Sequence, residues 1–271
     1  MRSPKEDGLD QKIIETISNL SPNDKALEMA KLLISDPEIQ ALQEYANDVS
    51  IKRLGFNDHG PVHMRIVALN AAIMLGFLRE AHIKTSLEQE DAGSFDDSVT
   101  AVITAAFLHD AGMTISRQDH ELHSAYIAMP LIDRLLQEVY HNDLARRIAI
   151  RAIAVEGIIG HMGGRQINSL EAGIVQIGDG CDMTKGRARI SIALSTKPKV
   201  GDIHQYSANS IEKVSIRSGS KKPIRIDVDM SSEVGLFQVE EVLLAKIAKS
   251  TAKGYIELYA IVKDKEPKRY L

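Results

Sequence analysis

The chain has 271 residues, of which 44% are hydrophobic and 26% charged, a composition typical of a globular protein with a substantial core. A net charge of −4, aromatic content of 4% and the lack of tryptophan argue against a nucleic-acid partner, which favours basic surfaces and aromatic stacking platforms. The single cysteine, Cys181, excludes an intrachain disulfide and a cysteine-rich zinc site.

The N-terminus also bears on location. Its first residues, MRSPKEDGLDQK, lack the apolar segment of a signal peptide. No run in the sequence is judged long and apolar enough to cross a bilayer. With the lone cysteine, these features predict a cytoplasmic protein that has no membrane partner.

Helical patterns dominate the first two thirds of the chain. Ser21-Pro22 and Asp36-Pro37 each place a capping residue before a proline, which is typical of a helix start. Apolar residues recurring at helical spacing predict further helices over about 61–81, 101–108, 115–137, 143–159 and 169–183.

The pattern changes near residue 200. Short β-rich runs over 214–217, 223–230 and 255–262 predict strands, with a turn at 219–223 and a helix over 237–249. We therefore predict a mainly α protein, with a helical domain over 1–195 and a small α+β domain over 200–271. The second domain is interpreted as a dimerisation or ligand-sensing unit, and a homodimer is the favoured assembly.

The histidines are clustered in the sequence. Eight of the nine lie between His59 and His161. Within this range, the run AVITAAFLHDAGM ends an apolar helix with the adjacent pair His109 and Asp110. An aspartate at the end of a buried helix needs compensation for its lost hydration, which a bound cation would supply. Taken alone, the pair also fits a helix cap held by hydrogen bonds.

Imidazole and carboxylate groups, which suit divalent metals, occur in five segments of the helical region. These candidates are His59 and His63, His109 and Asp110, His120 and His123, His161, and Asp179 with Asp182. Each residue alone fits a cap or a solvated side chain, but five such segments together predict a shared metal centre. His120 and His123 begin the same helix, and the sequence leaves open which is the ligand.

The order H…HD…H…H…D resembles the HD-domain superfamily of metal-dependent phosphohydrolases. HDAG is similar to the HD-x-G signature, HELHSA to the segment with a second-metal histidine, and VQIGDGCD to the closing segment, over about residues 59–183. The resemblance implies a helical HD-domain bundle and two divalent ions per chain, drawn from Mn, Fe, Co, Ni, Mg or Zn. By position, the first ion would be held by His63, His109, Asp110 and Asp179, and the second by Asp110, His120 and His161.

Three further points concern single positions in this resemblance. NDHGPVHMRIV is similar to a segment of cyclic-nucleotide phosphodiesterases, which implies that His59 is a general acid. Met113 stands where many binuclear members have a lysine, so one cationic phosphate contact is missing there. Met162 follows His161, whereas some members have two adjacent histidines, which leaves the ligand count of the second metal open.

The resemblance implies hydrolysis of a phosphomonoester or phosphodiester, with a nucleotide-like substrate and a metal-activated water. Asp110 and His59 would be the catalytic residues. Lys185, Arg187 and Arg165 are the candidates for binding the substrate phosphate, although TKGRAR from Thr184 also fits a solvated loop. The alternative function is a regulatory module that binds metal and a nucleotide without turnover.

Overall fold

Helices account for most of the protein, as the sequence predicts. The computed structural model describes residues 2–21, 23–184 and 203–271. The helices before the second gap are α1 (Pro4–Leu20), α2 (Lys25–Ser35), α3 (Pro37–Asp48), α4 (Pro61–Glu80), α5 (Ser86–Gln89), α6 (Phe95–Leu108), α7 (His120–Tyr140), α8 (Leu144–Gly160) and α9 (Leu170–Gly180). A π-helical turn, Val49–Arg53, follows α3, and a 3-10 turn, Ala111–Thr114, follows α6.

The C-terminal region contains a small mixed sheet. Its elements are α10 (Ile203–Ser210), β1 (Ile211–Ser218), β2 (Ile224–Met230), α11 (Leu236–Gln238), α12 (Ala245–Lys249), β3 (Ile256–Val262) and β4 (Lys268–Arg269). A π-helical segment, Val239–Leu244, joins α11 to α12. β1 and β2 form an antiparallel hairpin, β2 and β3 run parallel, and β4 pairs antiparallel with β3. The predicted fold class, mainly α with a small α+β part, is confirmed.

Helix α6 runs through the centre of the helical region because its sequence can be buried on every side. Ser94 caps its N-terminus and forms a reciprocal capping box with Asp97. All fourteen residues of the helix are buried, and α2, α4, α8 and α9 pack around it. The residues that follow α6, beginning with His109, therefore lie in the interior of the protein.

The C-terminal region packs against α9. Ser250 Oγ donates a hydrogen bond to the Gly173 carbonyl oxygen at 3.0 Å, and Thr251 Oγ1 donates to that of Ser169 at 2.7 Å. Buried apolar residues of both regions form one continuous cluster. The predicted boundary near 195–200 lies outside the described residues, so the division into two domains stays a prediction.

Helix α4 corrects the statement that no run is long and apolar enough to cross a bilayer. Its 20 residues meet the length and composition of a membrane span, the one case among the described residues, but 61% of the apolar window is buried within the protein. It packs against α1, α6 and α9, and buried Arg65 donates from Nε to Asp10 Oδ1 at 2.7 Å. This burial is typical of a core helix, and the cytoplasmic location stays a prediction.

Candidate metal centre

Six side chains predicted as metal ligands converge from five separate parts of the helical region. They are His63 of α4, His109 and Asp110 after α6, His120 at the start of α7, His161 after α8, and Asp179 of α9. Each of them is at most 5% exposed. Their side chains form three overlapping groups in which the potential ligand atoms lie within 4.8 Å of one another.

One donor set gathers around His63. Its Nε2 lies 3.3 Å from Asp110 Oδ2, 3.3 Å from Asp179 Oδ1 and 3.2 Å from His109 Nε2. His109 Nε2 is also 3.3 Å from Asp110 Oδ2. Ligands that lie about 2.0–2.2 Å from one metal are about 3.0–3.5 Å apart in tetrahedral or octahedral geometry. His109 Nε2 and Asp179 Oδ1 are farther apart, at 4.0 Å, as ligands on opposite sides of an octahedral ion would be. These four side chains can therefore surround a single divalent ion, and we call them the first donor set.

The other oxygen of Asp110 faces a second donor set. Asp110 Oδ1 lies 3.3 Å from His120 Nε2 and 3.5 Å from His161 Nε2, and these two nitrogens are 3.1 Å apart. The two donor sets adjoin, since the rings of His109 and His161 have centroids 4.7 Å apart. Asp110 is thus placed with one carboxylate oxygen in each set.

Three of the histidines are oriented so that their Nε2 atoms point into the donor sets, an arrangement that suits cations. Three rings have Nδ1 next to a backbone carbonyl: His109 to Ala106 at 2.8 Å, His120 to Arg117 at 2.9 Å, and His161 to Ile158 at 2.7 Å. Because a carbonyl only accepts, Nδ1 carries a proton in each ring, and in the neutral form of the ring Nε2 presents a lone pair. Lone pairs and carboxylates that converge in a buried site repel one another, and divalent cations would remove this repulsion.

His63 is oriented by a carboxylate. Its Nδ1 lies 2.7 Å from Asp182 Oδ2, and Asp182 is itself buried. A carboxylate behind an imidazole fixes the ring and raises its basicity toward a metal. Asp182 therefore supports His63 rather than joining the groups of converging ligand atoms.

The ionisation states agree with ligation. Burial opposes ionisation of Asp110, but the neighbouring His109 and His59 rings hold its pKa well below the usual range. Burial opposes ionisation of Asp179 as well, and Lys246 together with His63 keeps the pKa of this carboxyl well below normal. Burial lowers the pKa of His161 to about 4, so this ring is neutral at pH 7.

The structure brings His120, and not His123, to Asp110. His123 Nδ1 is buried without a hydrogen-bond partner, and the Cβ of His123 lies beside Gly112. A Cβ at residue 112 would lie 2.1 Å from the His120 carbonyl oxygen and 2.5 Å from the Ser124 nitrogen. Glycine is therefore needed where the 3-10 turn meets α7, and this close approach places His120 next to Asp110.

The other predicted site residues occupy different surroundings. His59 lines a cavity of about 640 Å³ at the metal centre. Its Nδ1 lies 2.6 Å from the Asn57 carbonyl oxygen. Arg165 is directed toward Asp119 and Glu121, at 3.7 and 3.6 Å, and is not among the lining residues. Lys185 and Arg187 lie outside the described residues, so their predicted phosphate contacts stay predictions.

The cavity combines an anionic floor with mixed walls, and its size is ordinary for a small-molecule site. Asp110, His161 and Asp179 contribute to its surface. The remaining described lining includes apolar Phe56, Met162 and Met183, the cations Arg117, Lys246 and Lys249, and the amides Asn57 and Gln238. Such a surface can receive a small molecule that carries both an anionic group and an apolar ring.

Lys246 is a site residue that the sequence did not indicate. Its Nζ forms an ion pair with Asp179 Oδ2, on the carboxylate whose Oδ1 belongs to the first donor set. The Lys246 and Asp179 side chains are 12% and 6% exposed. The C-terminal region thus reaches the metal centre through α12.

Replacing Lys246 with methionine should destabilise the chelator-treated protein by about 3–5 kcal/mol, because the Asp179 charge loses its buried partner. Added Mn²⁺ should recover most of this loss, since the ion compensates the same carboxylate. Denaturant unfolding with and without Mn²⁺ measures both values, and Lys253→Met, at an exposed lysine that does not line the cavity, is the control. If Lys246→Met lost the same stability with Mn²⁺ as with chelator, Lys246 would not act on the metal centre.

These features define the class of the protein as mainly α with a buried histidine–aspartate centre that fits metal ions. A protein of Methanocaldococcus jannaschii, "Uncharacterized protein MJ1020", is 40% identical over 235 residues, which cover 87% of this chain and 88% of that protein. The chain belongs to the same family as this archaeal protein. No family model matches the chain, and no solved structure matches it.

Proposed function

We propose that the protein is a metal-dependent phosphohydrolase of the HD-domain superfamily. The observation that carries the proposal is the division of the Asp110 oxygens between the two donor sets, at 3.3 Å from His63 Nε2 on one side and 3.3 Å from His120 Nε2 on the other. A carboxylate shared in this way is typical of two-metal hydrolases. Bound divalent ions supply an activated water and neutralise charge on phosphoryl oxygens.

The two donor sets differ in their number of ligands. The first offers four side chains, namely His63, His109, Asp110 and Asp179, whereas the second offers three, namely Asp110, His120 and His161. A set with fewer protein ligands leaves coordination positions for a substrate oxygen or a water. We assign substrate binding to the side of the second set.

His59 is the proposed general acid. Its Nδ1 is directed to the carbonyl of Asn57 and lies 2.9 Å from Ser50 Oγ. Because the carbonyl accepts the Nδ1 proton, only Nε2 can gain and release a second proton. His59 lines the cavity, and its ring centroid is 5.9 Å from that of His63. This placement supports proton donation to a leaving alkoxide from the side of the first donor set.

The substrate is proposed to be a nucleotide-like phosphomonoester or phosphodiester. Phe56, which is 43% exposed and lines the cavity, offers a ring face for stacking. Gln238, Lys246 and Lys249 of the C-terminal region line the same cavity, which supports a ligand-contacting role for that region. Subunit association remains a separate prediction.

Metal analysis joined to a substrate panel tests the proposal. We expect protein purified with Mn²⁺ to hold divalent metal and to hydrolyse members of a panel of nucleoside monophosphates, cyclic nucleotides and nitrophenyl esters. Chelation should remove activity, and Mn²⁺ should restore it. Metal-loaded protein that binds nucleotides without hydrolysing any panel member would instead support the regulatory module. Protein that holds no metal would contradict both functions.

A further inference from the structure

Arg117 is held at the wall of the cavity beside the second donor set. Its Nη1 lies 3.3 Å from His120 Nε2, and its guanidinium carbon is 5.6 Å from the centroid of the Phe56 ring. All three side chains belong to the immediate surroundings of the metal centre, and Arg117 and Phe56 line the cavity. The guanidinium is thus positioned by an aromatic ring and a site histidine rather than extending into solvent.

The contact between Arg117 and His120 competes with metal binding. His120 Nδ1 donates to the Arg117 carbonyl oxygen at 2.9 Å, so Nε2 is the nitrogen whose lone pair is available to a metal. This lone pair cannot serve a guanidinium and a cation together. Once it binds a cation, the Arg117 N–H groups need another acceptor a few ångströms away. An oxygen of an anion bound to the same cation satisfies that need.

Other described cations near the centre are less suited to this contact. Residue 113, where the HD superfamily often has lysine, supplies no cation, because Met113 is fully buried and uncharged. Lys246 is committed to Asp179. Lys249 also lines the cavity, but it is exposed, and its ammonium lacks the two parallel N–H groups of a guanidinium. Arg165 is directed to two carboxylates and does not line the cavity. Arg117 therefore offers a phosphate contact on the side of the second donor set, and a guanidinium matches phosphoryl oxygens through two parallel N–H groups.

We infer that Arg117 binds a phosphoryl oxygen of the substrate and favours phosphomonoesters over phosphodiesters. The inference rests on the proposed metal-dependent phosphohydrolase. A monoester is dianionic and keeps an oxygen for the guanidinium in addition to those bound by metal, whereas a diester carries one charge. The added cation therefore stabilises the monoester more than the diester.

Inorganic phosphate is the probe that separates this role from turnover. In Mn²⁺-loaded protein, Arg117→Gln should weaken phosphate binding by about tenfold to hundredfold, the effect of one charge-assisted hydrogen bond, with Mn²⁺ content unchanged. Arg117→Lys should recover part of the affinity. Arg151→Gln, which removes the same charge from an exposed pair with Asp133, is the control and should bind phosphate as the wild type does. Calorimetric titration measures all four proteins.

A second readout tests the substrate class. Arg117→Gln should lower kcat/KM for 4-nitrophenyl phosphate at least about tenfold more than for bis(4-nitrophenyl) phosphate. Unchanged phosphate affinity in Arg117→Gln, a loss in Arg165→Gln instead, or a wild-type protein that binds no phosphate would each overturn the inference. Phosphate binding that depends on Arg117 in a protein without hydrolysis would support it while contradicting the proposed enzyme.

Discussion

Replacing Asp110 with asparagine should abolish hydrolysis and reduce the metal content of the protein. The amide keeps the shape of the side chain but cannot offer an anionic oxygen to both donor sets, which now meet at Oδ1 and Oδ2. Loss of a shared metal ligand removes several kcal/mol of transition-state stabilisation, so kcat/KM should fall by about 10³-fold or more. Elemental analysis and steady-state kinetics provide the measurements.

Thermal unfolding shows whether Asp110→Asn loses metal and activity because a ligand is missing or because the protein misfolds. In chelator, Asp110→Asn should still unfold cooperatively but at a lower temperature than the wild type, because the pKa of Asp110 is held well below its usual range and the folded protein therefore favours the ionised carboxyl. The wild type should gain about 2.7 kcal/mol when Mn²⁺ is present at 100 times its Kd, and the variant should not. Asp133→Asn, at an exposed carboxylate, is the control. Asp110→Asn with wild-type metal content and activity would contradict the assignment.

His59→Gln should lower kcat by about 10²–10⁴-fold for alkyl phosphate esters while leaving the metal content unchanged. An alkoxide leaves with difficulty unless it receives a proton, whereas nitrophenolate needs none. The loss should therefore be much smaller for nitrophenyl phosphate. The general acid must be protonated to act, so the fall of kcat on the alkaline side of the wild-type pH profile should disappear in the variant.

The matched control for His59 is His82→Gln, because His82 is exposed and lies after α4, away from the cavity lining. It should have wild-type kinetics with both substrates. An equal loss of activity toward alkyl and nitrophenyl esters in His59→Gln, or a loss of metal, would show that His59 shapes the site and transfers no proton.

The convergence of the predicted ligands could be anticipated because ordered motifs carry information about distant positions. His63 and Asp179 are far apart in sequence, and their Nε2 and Oδ1 atoms lie 3.3 Å apart in the fold. The helices were predictable for a simpler reason, since an apolar run such as that of α6 has few other ways to be buried. The roles of these residues in binding metal and in catalysis remain predictions that chemistry must test.

Contacts that depend on tertiary packing could not be read from the sequence. Lys246 is 67 positions from Asp179 in the chain, and its neighbours resemble those of any lysine on a half-exposed helix. The choice of His120 over His123 depends on how the chain enters α7, where Asp119 has a φ of 53°. The spacing of His120 and His123 within α7 does not determine the direction in which the chain enters this helix.

Several elements were missed or misjudged for physical reasons, among them α5, a single helical turn over Ser86–Gln89 in a polar stretch. α10 has a weak apolar pattern in IHQYSANS, and β4 spans only Lys268–Arg269, so neither gave a usable periodic pattern. α4 is apolar enough to resemble a membrane span because it is covered by other helices on several sides. Composition alone does not distinguish a lipid environment from a protein core.

The central claim is that Asp110 is shared by two metal ions, and anomalous diffraction from crystals grown with Mn²⁺ tests it most directly. We expect two peaks about 3.5–4 Å apart on either side of the Asp110 carboxylate. One should be bound by His63, His109 and Asp179, and the other by His120 and His161. Crystals of Mn²⁺-saturated protein with no peak at Asp110 would contradict the account.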